Sequence, residues 1–308
     1  MTTAPTVSNW GGTSRYVDLG GQVHYADFGG KPGAQKFVLV HGLGGSHLNW
    51  CLLAGRLREH GQVVAVDLAG FGLTNPEGRG TSVPANTALL HRFLTEVVGE
   101  PVVLIGNSMG GLIAIHQAAA HPETVTALAL IDPALPPAPG VLPDPLVAAI
   151  FAGYSVPLFG EWMLARTRTR LTPHQQVKRV YDLCLGDPTA LPPELVAASA
   201  ALVERRAAVA GLDTAFLAAA RSTVRTATRR TRYLATMRTV RAPVLLLHGE
   251  SDRLISVRSA RAAAARNPSW ELHTFPKVGH VPQLEVPDLV ATRILDWLAR
   301  SRERRMAL

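Results

Sequence analysis

Ser108 stands in Gly106-Asn107-Ser108-Met109-Gly110, a G-x-S-x-G pattern. An apolar, β-branched run (Val102 to Ile105) precedes it and an Ala-rich helical pattern (Gly111 to Ala120) follows. Strand, sharp turn and helix together form the setting in which such a serine is presented as a nucleophile. The turn drives the serine backbone toward an unfavourable conformation, so Gly106 and Gly110 must leave room for the chain to fold back. The helix N-terminus then points free N–H groups and its positive dipole end at the hydroxyl. A serine hydroxyl is a weak nucleophile at neutral pH; it needs a base, and the base needs a group that orients it. His280, in Val278-Gly279-His280-Val281-Pro282, offers the base, and Asp252, in Gly249-Glu250-Ser251-Asp252-Arg253, the orienting carboxylate. Asp252 follows the apolar run Val244–Leu247, and His280 follows the strand pattern Glu271–Phe275. The backbone N–H groups of Leu43, in the turn His41-Gly-Leu-Gly-Gly45, and of Met109 are the expected donors to an oxyanion. Losing one such donor costs about 3 kcal/mol of transition-state stabilisation.

Other residues fall near these. His41, His47, Trp50 and Asn107 are candidates for lining a pocket. Asp132, at a strand end before Pro133, could act as an alternative acid, although the Asp-Pro turn favours a structural role. Asp67 reads as an acceptor that holds its loop, and His248 as a buried histidine near the acid loop. His116 and His121 read as surface or packing residues. No H-E-x-x-H, P-loop or G-x-G-x-x-G pattern occurs, so neither a metal nor a cofactor is expected.

The elements that must position these groups follow from periodicity. Arg15–Leu19 and Gln22–Ala26 read as strands joined at Gly20-Gly21. Short apolar strands at Phe37–Val40, Val63–Val66, Val102–Ile105 and Ala127–Ile131 then alternate with helices at Leu48–Glu59, Thr81–Val98 and Gly111–Ala120. Such alternation predicts a mainly parallel sheet covered on both faces, with function at the carboxyl ends of its strands. His41, Asp67, Ser108 and Asp132 lie there. The alternation stops for about a hundred residues of helical pattern, with a last helix at 214–238 before the sheet resumes at Val244–His248. Strand Glu271–Phe275 and a helix at Pro287–Arg300 close the chain. The expected division is a sheet core of residues 1–133 and 240–308, with a helical insertion at 134–239.

Of the 308 residues 47% are hydrophobic and 18% charged, enough for a sizeable core. Two distant cysteines, Cys51 and Cys184, argue against a disulfide framework and suit a reducing compartment. The first ten residues lack a basic start and an apolar run, so no secretory signal is read and a cytoplasmic protein is expected. The formal charge of +8 is concentrated in residues 133–240, with thirteen Lys/Arg against seven Asp/Glu, and in the tail from Arg300. No basic stripe interleaved with aromatics appears, so nucleic acid is not an expected partner. A weak contact between this basic insertion and an anionic membrane surface is compatible with the pattern.

Together these residues resemble the α/β-hydrolase superfamily, in its group with a helical cap between the sixth and seventh core strands. The likeness covers roughly residues 15–300. It rests on His41-Gly42, Asp67-Leu-Ala-Gly-Phe-Gly72, Gly106–Gly110, Asp252 and Gly279-His280, with Ser108, Asp252 and His280 in the order of that family's triads. Two departures occur. The family's D-x-P-G-H-G loop lacks its proline and histidine here, and the first turn lacks the proline of epoxide-hydrolase-like members. The resemblance implies an α/β fold with an eight-stranded, mainly parallel sheet. It further implies an esterase- or lipase-like serine hydrolase acting on a small ester with an apolar acyl group. Haloalkane dehalogenases and epoxide hydrolases of this fold carry Asp where Ser108 stands. Gly-Asn-Ser-Met-Gly is similar to the elbow of carbon–carbon bond hydrolases. Those enzymes, thioesterases, lactonases and a catalytically silent binder on the same fold are the alternatives.

Overall fold

The computed structural model describes residues 10–306, and the side chains of 305 and 306 are not described. The reading of the first nine residues as lacking a leader, and the last two residues of the basic tail, lie outside the described residues. Eight strands form one sheet: β1 (Thr13–Asp18), β2 (Gln22–Asp27), β3 (Gln35–Val40), β4 (Gly61–Val66), β5 (Val102–Asn107), β6 (Val125–Ile131), β7 (Val244–Gly249) and β8 (Glu271–Phe275). Their order is β1-β2-β4-β3-β5-β6-β7-β8. The β1–β2 and β2–β4 pairs are antiparallel, and every pairing from β4 through β3 to β8 is parallel.

Between and after the strands run α1 (Cys51–Leu57), α2 (Val83–Arg92), α3 (Met109–Ala120), α4 (Pro145–Ser155), α5 (Phe159–Arg170), α6 (Pro173–Cys184), α7 (Pro193–Arg206), α8 (Leu212–Thr228), α9 (Arg230–Arg238), α10 (Val257–Arg266), α11 (Pro282–Glu285) and α12 (Pro287–Met306). The inner strands are apolar on both faces because both are covered. Val38, Leu104 and Leu246 join a core with residues of α2, α3, α9 and α10. Their neighbours Leu39, Ile105 and Leu247 join a second core with residues of α1 and α12.

After β6 the chain leaves the sheet and returns only at β7, with α4 to α9 between. These helices are tied to the loops at the strand ends. Thr81 Oγ1 donates to the Ala215 carbonyl at 2.7 Å, and Val83 N–H to Ser222 Oγ at 3.0 Å. Arg206 donates to the Gly70 carbonyl at 2.5 Å.

Several expected helix bounds differ from the structure; the one at Leu48–Glu59 is a 3₁₀ turn at His47–Trp50 followed by α1. The helix expected at 214–238 breaks at Arg229, which leaves helical geometry at φ −74°, ψ 58°. Just before the break, the Thr226 and Thr228 hydroxyls take the carbonyls of Ser222 and Val224, a back-bonding that bends helices. The helix expected from Thr81 starts at Val83 because Ser82 caps it, its hydroxyl accepting from Ala85 N–H. The last helix runs past Arg300 to Met306.

Candidate active site

Ser108 joins β5 to α3 at φ 54°, ψ −120°, a left-handed backbone that a residue with a Cβ adopts at a cost of about 1–3 kcal/mol. The surroundings enforce it. Its N–H donates to the Ile131 carbonyl at 3.1 Å and its carbonyl accepts from Ala134 N–H at 2.9 Å. A Cβ on Gly106 would sit 2.5 Å from the Gly110 carbonyl oxygen, and one on Gly110 would strike the Val40 carbonyl. Only glycine therefore lets the strand and helix cross this closely. The turn after β3 presses on the same spot: a Cβ on Gly42 would lie 2.9 Å from the Ser108 Cβ. Leu43 follows Gly42 directly. The N–H of Met109, at the first position of α3, precedes any carbonyl of its own helix that could accept it.

Asp252 and His280 meet at the ends of β7 and β8. His280 Nδ1 lies 2.7 Å from Asp252 Oδ2. The other carboxylate oxygen accepts from Leu254 N–H at 2.8 Å and Ile255 N–H at 3.0 Å. Burial alone would raise the Asp252 carboxyl, but the charge and hydrogen bond of His280 outweigh it and hold it below the ordinary value. With an ionised acceptor, Nδ1 carries the ring proton and Nε2 is left as the basic nitrogen. That Nε2 is buried and has no hydrogen-bond partner among the described residues. The loop is braced from two sides. Asn107 Nδ2 donates to the His280 carbonyl at 3.0 Å, joining it to the serine turn, and His280 N–H donates to the Cys184 carbonyl at 2.6 Å, joining it to α6.

Asp132 ends β6, next to β7, at φ 43°. Its Oδ1 accepts from Gly249 N–H at 2.9 Å. Asp132, Asp252 and His280 each bring one polar atom within 4.8 Å of the others. Burial, followed by the charge and hydrogen bond of Asp252, pushes the Asp132 carboxyl well above its ordinary value. Two buried carboxyls this close cannot both ionise, and Asp132 keeps the proton. His248 donates from Nε2 to the Ile255 carbonyl at 2.8 Å and lies 3.5 Å from each carboxylate. Burial lowers its pKa.

The four pocket candidates are placed as follows. His41 is fully buried and spent on its own loop: its Nδ1 lies 2.8 Å from the Gly42 carbonyl, and its Nε2 accepts from Leu68 N–H at 3.0 Å. Asn107 braces the serine turn through the Ile131 and His280 carbonyls. Trp50 lies fully buried in the core beside Phe37, Leu53 and Leu57, a packing role set by its position ahead of α1. His47 belongs to another cluster altogether: its Nδ1 lies 2.9 Å from Asp67 Oδ2, beside His24 Nδ1 at 2.7 Å from the same atom. Sequence reasoning singled out neither His24 nor this cluster. It also missed Phe216 of α8, whose ring lies 3.4 Å from where a Cβ on Gly44 would stand. Among the described residues, the donor sets that could hold a metal ion are His24/His47/Asp67 and Asp132/Asp252/His280, and in both the closest atoms are already hydrogen-bonded to one another.

The model of the alpha/beta hydrolase family matches residues 37–293. A 2-hydroxy-6-oxononadienedioate/2-hydroxy-6-oxononatrienedioate hydrolase from Cupriavidus pinatubonensis is 26% identical over 302 residues, 93% of this chain and 96% of that protein. Lipase 1 of Psychrobacter immobilis is 26% identical over 274 residues, 88% of this chain and 79% of that one. Two further relatives, at 35% and 37% identity, share a shorter segment, and the chain spans 32% and 40% of their length. Among solved structures, a haloalkane dehalogenase loop variant from Bradyrhizobium elkanii superposes with a TM-score of 0.80 at 20% identity, over 96% of this chain and 99% of that one, a likeness of fold.

Proposed function

The chain belongs to the alpha/beta hydrolase family, and on that premise we propose that it hydrolyses carboxylic esters through an acyl-enzyme on Ser108. The observation that carries this reading is the Asp252–His280 pair at 2.7 Å, whose outer nitrogen is buried and unpartnered, braced by Asn107 to a serine turn held at positive φ. In the proposed sequence Ser108 Oγ attacks the ester carbonyl while His280 Nε2 takes its proton. Asp252 holds the ring and stabilises the imidazolium. The N–H groups of Met109 and Leu43 bind the oxyanion, the alcohol leaves with the proton from His280, and water repeats the steps on the acyl-enzyme.

Residues 134–239 act in this reading as a cap, and the substrate carries an apolar acyl group. Support comes from Phe216 against the glycine turn and from the apolar start of the insertion. Two free cysteines, Cys51 buried and Cys184 half-buried, support a reducing, cytoplasmic setting. A kinetic panel of 4-nitrophenyl esters tests the pocket: kcat/KM rises with acyl chain length if it is apolar, and a flat series overturns that part of the reading.

A second reading, carbon–carbon bond hydrolysis, is favoured by the full-length relative from Cupriavidus and by Asn107 in the elbow. Turnover of a vinylogous 1,5-diketone at a higher kcat/KM than any ester in the panel selects it.

A further inference from the structure

A second serine, imidazole and carboxylate line up on the far edge of the sheet. Ser14 lies on β1, the edge strand, and is exposed. Its Oγ is 2.5 Å from His24 Nε2, and His24 Nδ1 is 2.7 Å from Asp67 Oδ2. Asp67 is fully buried and surrounded by donors. Its Oδ2 accepts from Leu73 N–H at 2.7 Å and from His47 Nδ1 at 2.9 Å, and its Oδ1 accepts from His47 N–H at 2.7 Å. Burial would raise this carboxyl, but the neighbouring histidines and their hydrogen bonds hold it well below the ordinary value. An ionised Asp67 fixes the His24 proton on Nδ1. Nε2 is then the acceptor, and the Ser14 hydroxyl donates to it. This is the proton arrangement that activates a serine.

The face beside it is open and cationic. Tyr16, two residues along β1 on the same face, packs edge-on against the His24 ring at 5.0 Å. Tyr16 also lines a cavity of about 490 Å³ with Asn75, Glu77, Arg79, Arg205 and Arg206. Three guanidiniums line it with Glu77, and the Asp18 carboxylate also acts on Arg79. Arg79 donates to the Gln22 carbonyl at 2.6 Å, while its Nε and Nη1 are buried without a hydrogen-bond partner among the described residues. Donors left unpaired in this way are costly, and an anionic group would satisfy them. As the edge strand, β1 also turns alternate N–H groups away from β2, donors that an oxyanion could use.

We propose that Ser14, His24 and Asp67 form a second nucleophilic site, which takes an acyl group from activated esters bearing an anionic group. In the step, the bond from Ser14 Oγ to the acyl carbon forms and the bond from that carbon to the aryl oxygen breaks. The hydroxyl proton passes to His24 Nε2 and from there to the leaving aryloxide. The product is a Ser14 ester.

The test uses the full chain carrying Ser108→Ala, so the site stands or falls apart from the proposed function. The protein is incubated with 4-nitrophenyl acetate or mono(4-nitrophenyl) glutarate, and acylation is mapped and timed by peptide mass spectrometry. The exposed hydroxyl of Ser155 serves as the internal reference. Ser14 is acylated about 100-fold faster than Ser155, the scale of general-base assistance, and His24→Gln removes that advantage. Arg79→Gln, which leaves the buried relay intact, slows the glutarate ester about tenfold and the acetate not at all. Equal rates at Ser14 and Ser155 overturn the proposal, and an equal effect of Arg79→Gln on both esters overturns its anionic specificity.

Discussion

At Ser108 the backbone is strained and the outer nitrogen of the paired imidazole is unpartnered; at Ser14 the strand is ordinary and the imidazole already holds the hydroxyl at 2.5 Å. The two regions share residue types but not their preparation. The elbow holds its serine between a glycine turn and a helix N-terminus, where the first N–H groups lack helical partners. The edge cluster satisfies its serine in the ground state and faces solvent. Their carboxylates differ as well. Asp67 is surrounded by N–H donors, whereas Asp252 shares its buried site with a second carboxyl, Asp132. The elbow is thus prepared for turnover, and the edge cluster for accepting an acyl group from an activated ester.

The sharpest way to break this comparison is to remove each hydroxyl. Ser108→Ala is expected to lower ester kcat by about 10⁵-fold or more, as loss of a triad serine does elsewhere. Steady-state assays that find a smaller loss than for Ser14→Ala would reverse the ranking of the two regions. Next come the paired acids. Asp252→Asn is expected to cost about 10⁴-fold in kcat by fixing the wrong tautomer. Asp132→Asn keeps an acceptor for Gly249 N–H and a donor toward Asp252, so its kcat stays within a few-fold; the opposite ranking would make Asp132 the acting acid. Gly42→Ala is expected to cost about 100-fold in kcat, because its methyl would press on Ser108 and displace the oxyanion turn.

A pH-dependent effect on stability follows from the same pair. The Asp132 carboxyl is raised in the fold, so its stabilising neutral form counts fully below the unfolded value of about 3.9 and is lost as pH climbs toward the folded pKa. Asparagine has no proton to lose. The Tm of Asp132→Asn relative to the parent should therefore be higher at pH 8 than at pH 4; calorimetry showing the reverse trend would contradict a neutral Asp132. The smallest effect concerns the helical insertion. Leu158 and Trp162 are 83% and 52% exposed, Trp162 stacks on Phe159, and Arg166 lies 5.3 Å above the Trp162 ring. An apolar tip with a cation behind it suits an anionic membrane surface. Trp162→Ala should weaken sedimentation with phosphatidylglycerol vesicles a few-fold, and unchanged partitioning would remove that contact.

Much of the fold was legible because its signals are local. The runs Val102–Ile105 and Val244–Leu247 are apolar at every position, as strands covered on both faces must be. Ser108 and Asp252 could be assigned to strand ends because each follows such a run, and His280 because it follows the mixed strand Glu271–Phe275. The edge cluster could not be read this way. Ser14 and His24 sit on two hairpin strands, His47 in a turn and Asp67 after β4, and only the sheet order brings them together. Asp67 and His47 were noticed separately, with no local pattern to pair them. Asp132 facing Asp252 had a usable signal, since both end strands that proved to be neighbours. The break at Arg229 follows the back-bonds of Thr226 and Thr228, which apolar periodicity does not report.

In the proposed reading Ser108 is the nucleophile of this hydrolase. A fluorophosphonate probe at stoichiometric concentration, followed by peptide mapping, tests it most directly. One rapid adduct is expected, on the peptide containing Ser108, lost in His280→Gln and accompanied by loss of ester turnover. A parent protein that is fully inhibited while Ser108 stays unmodified would contradict it.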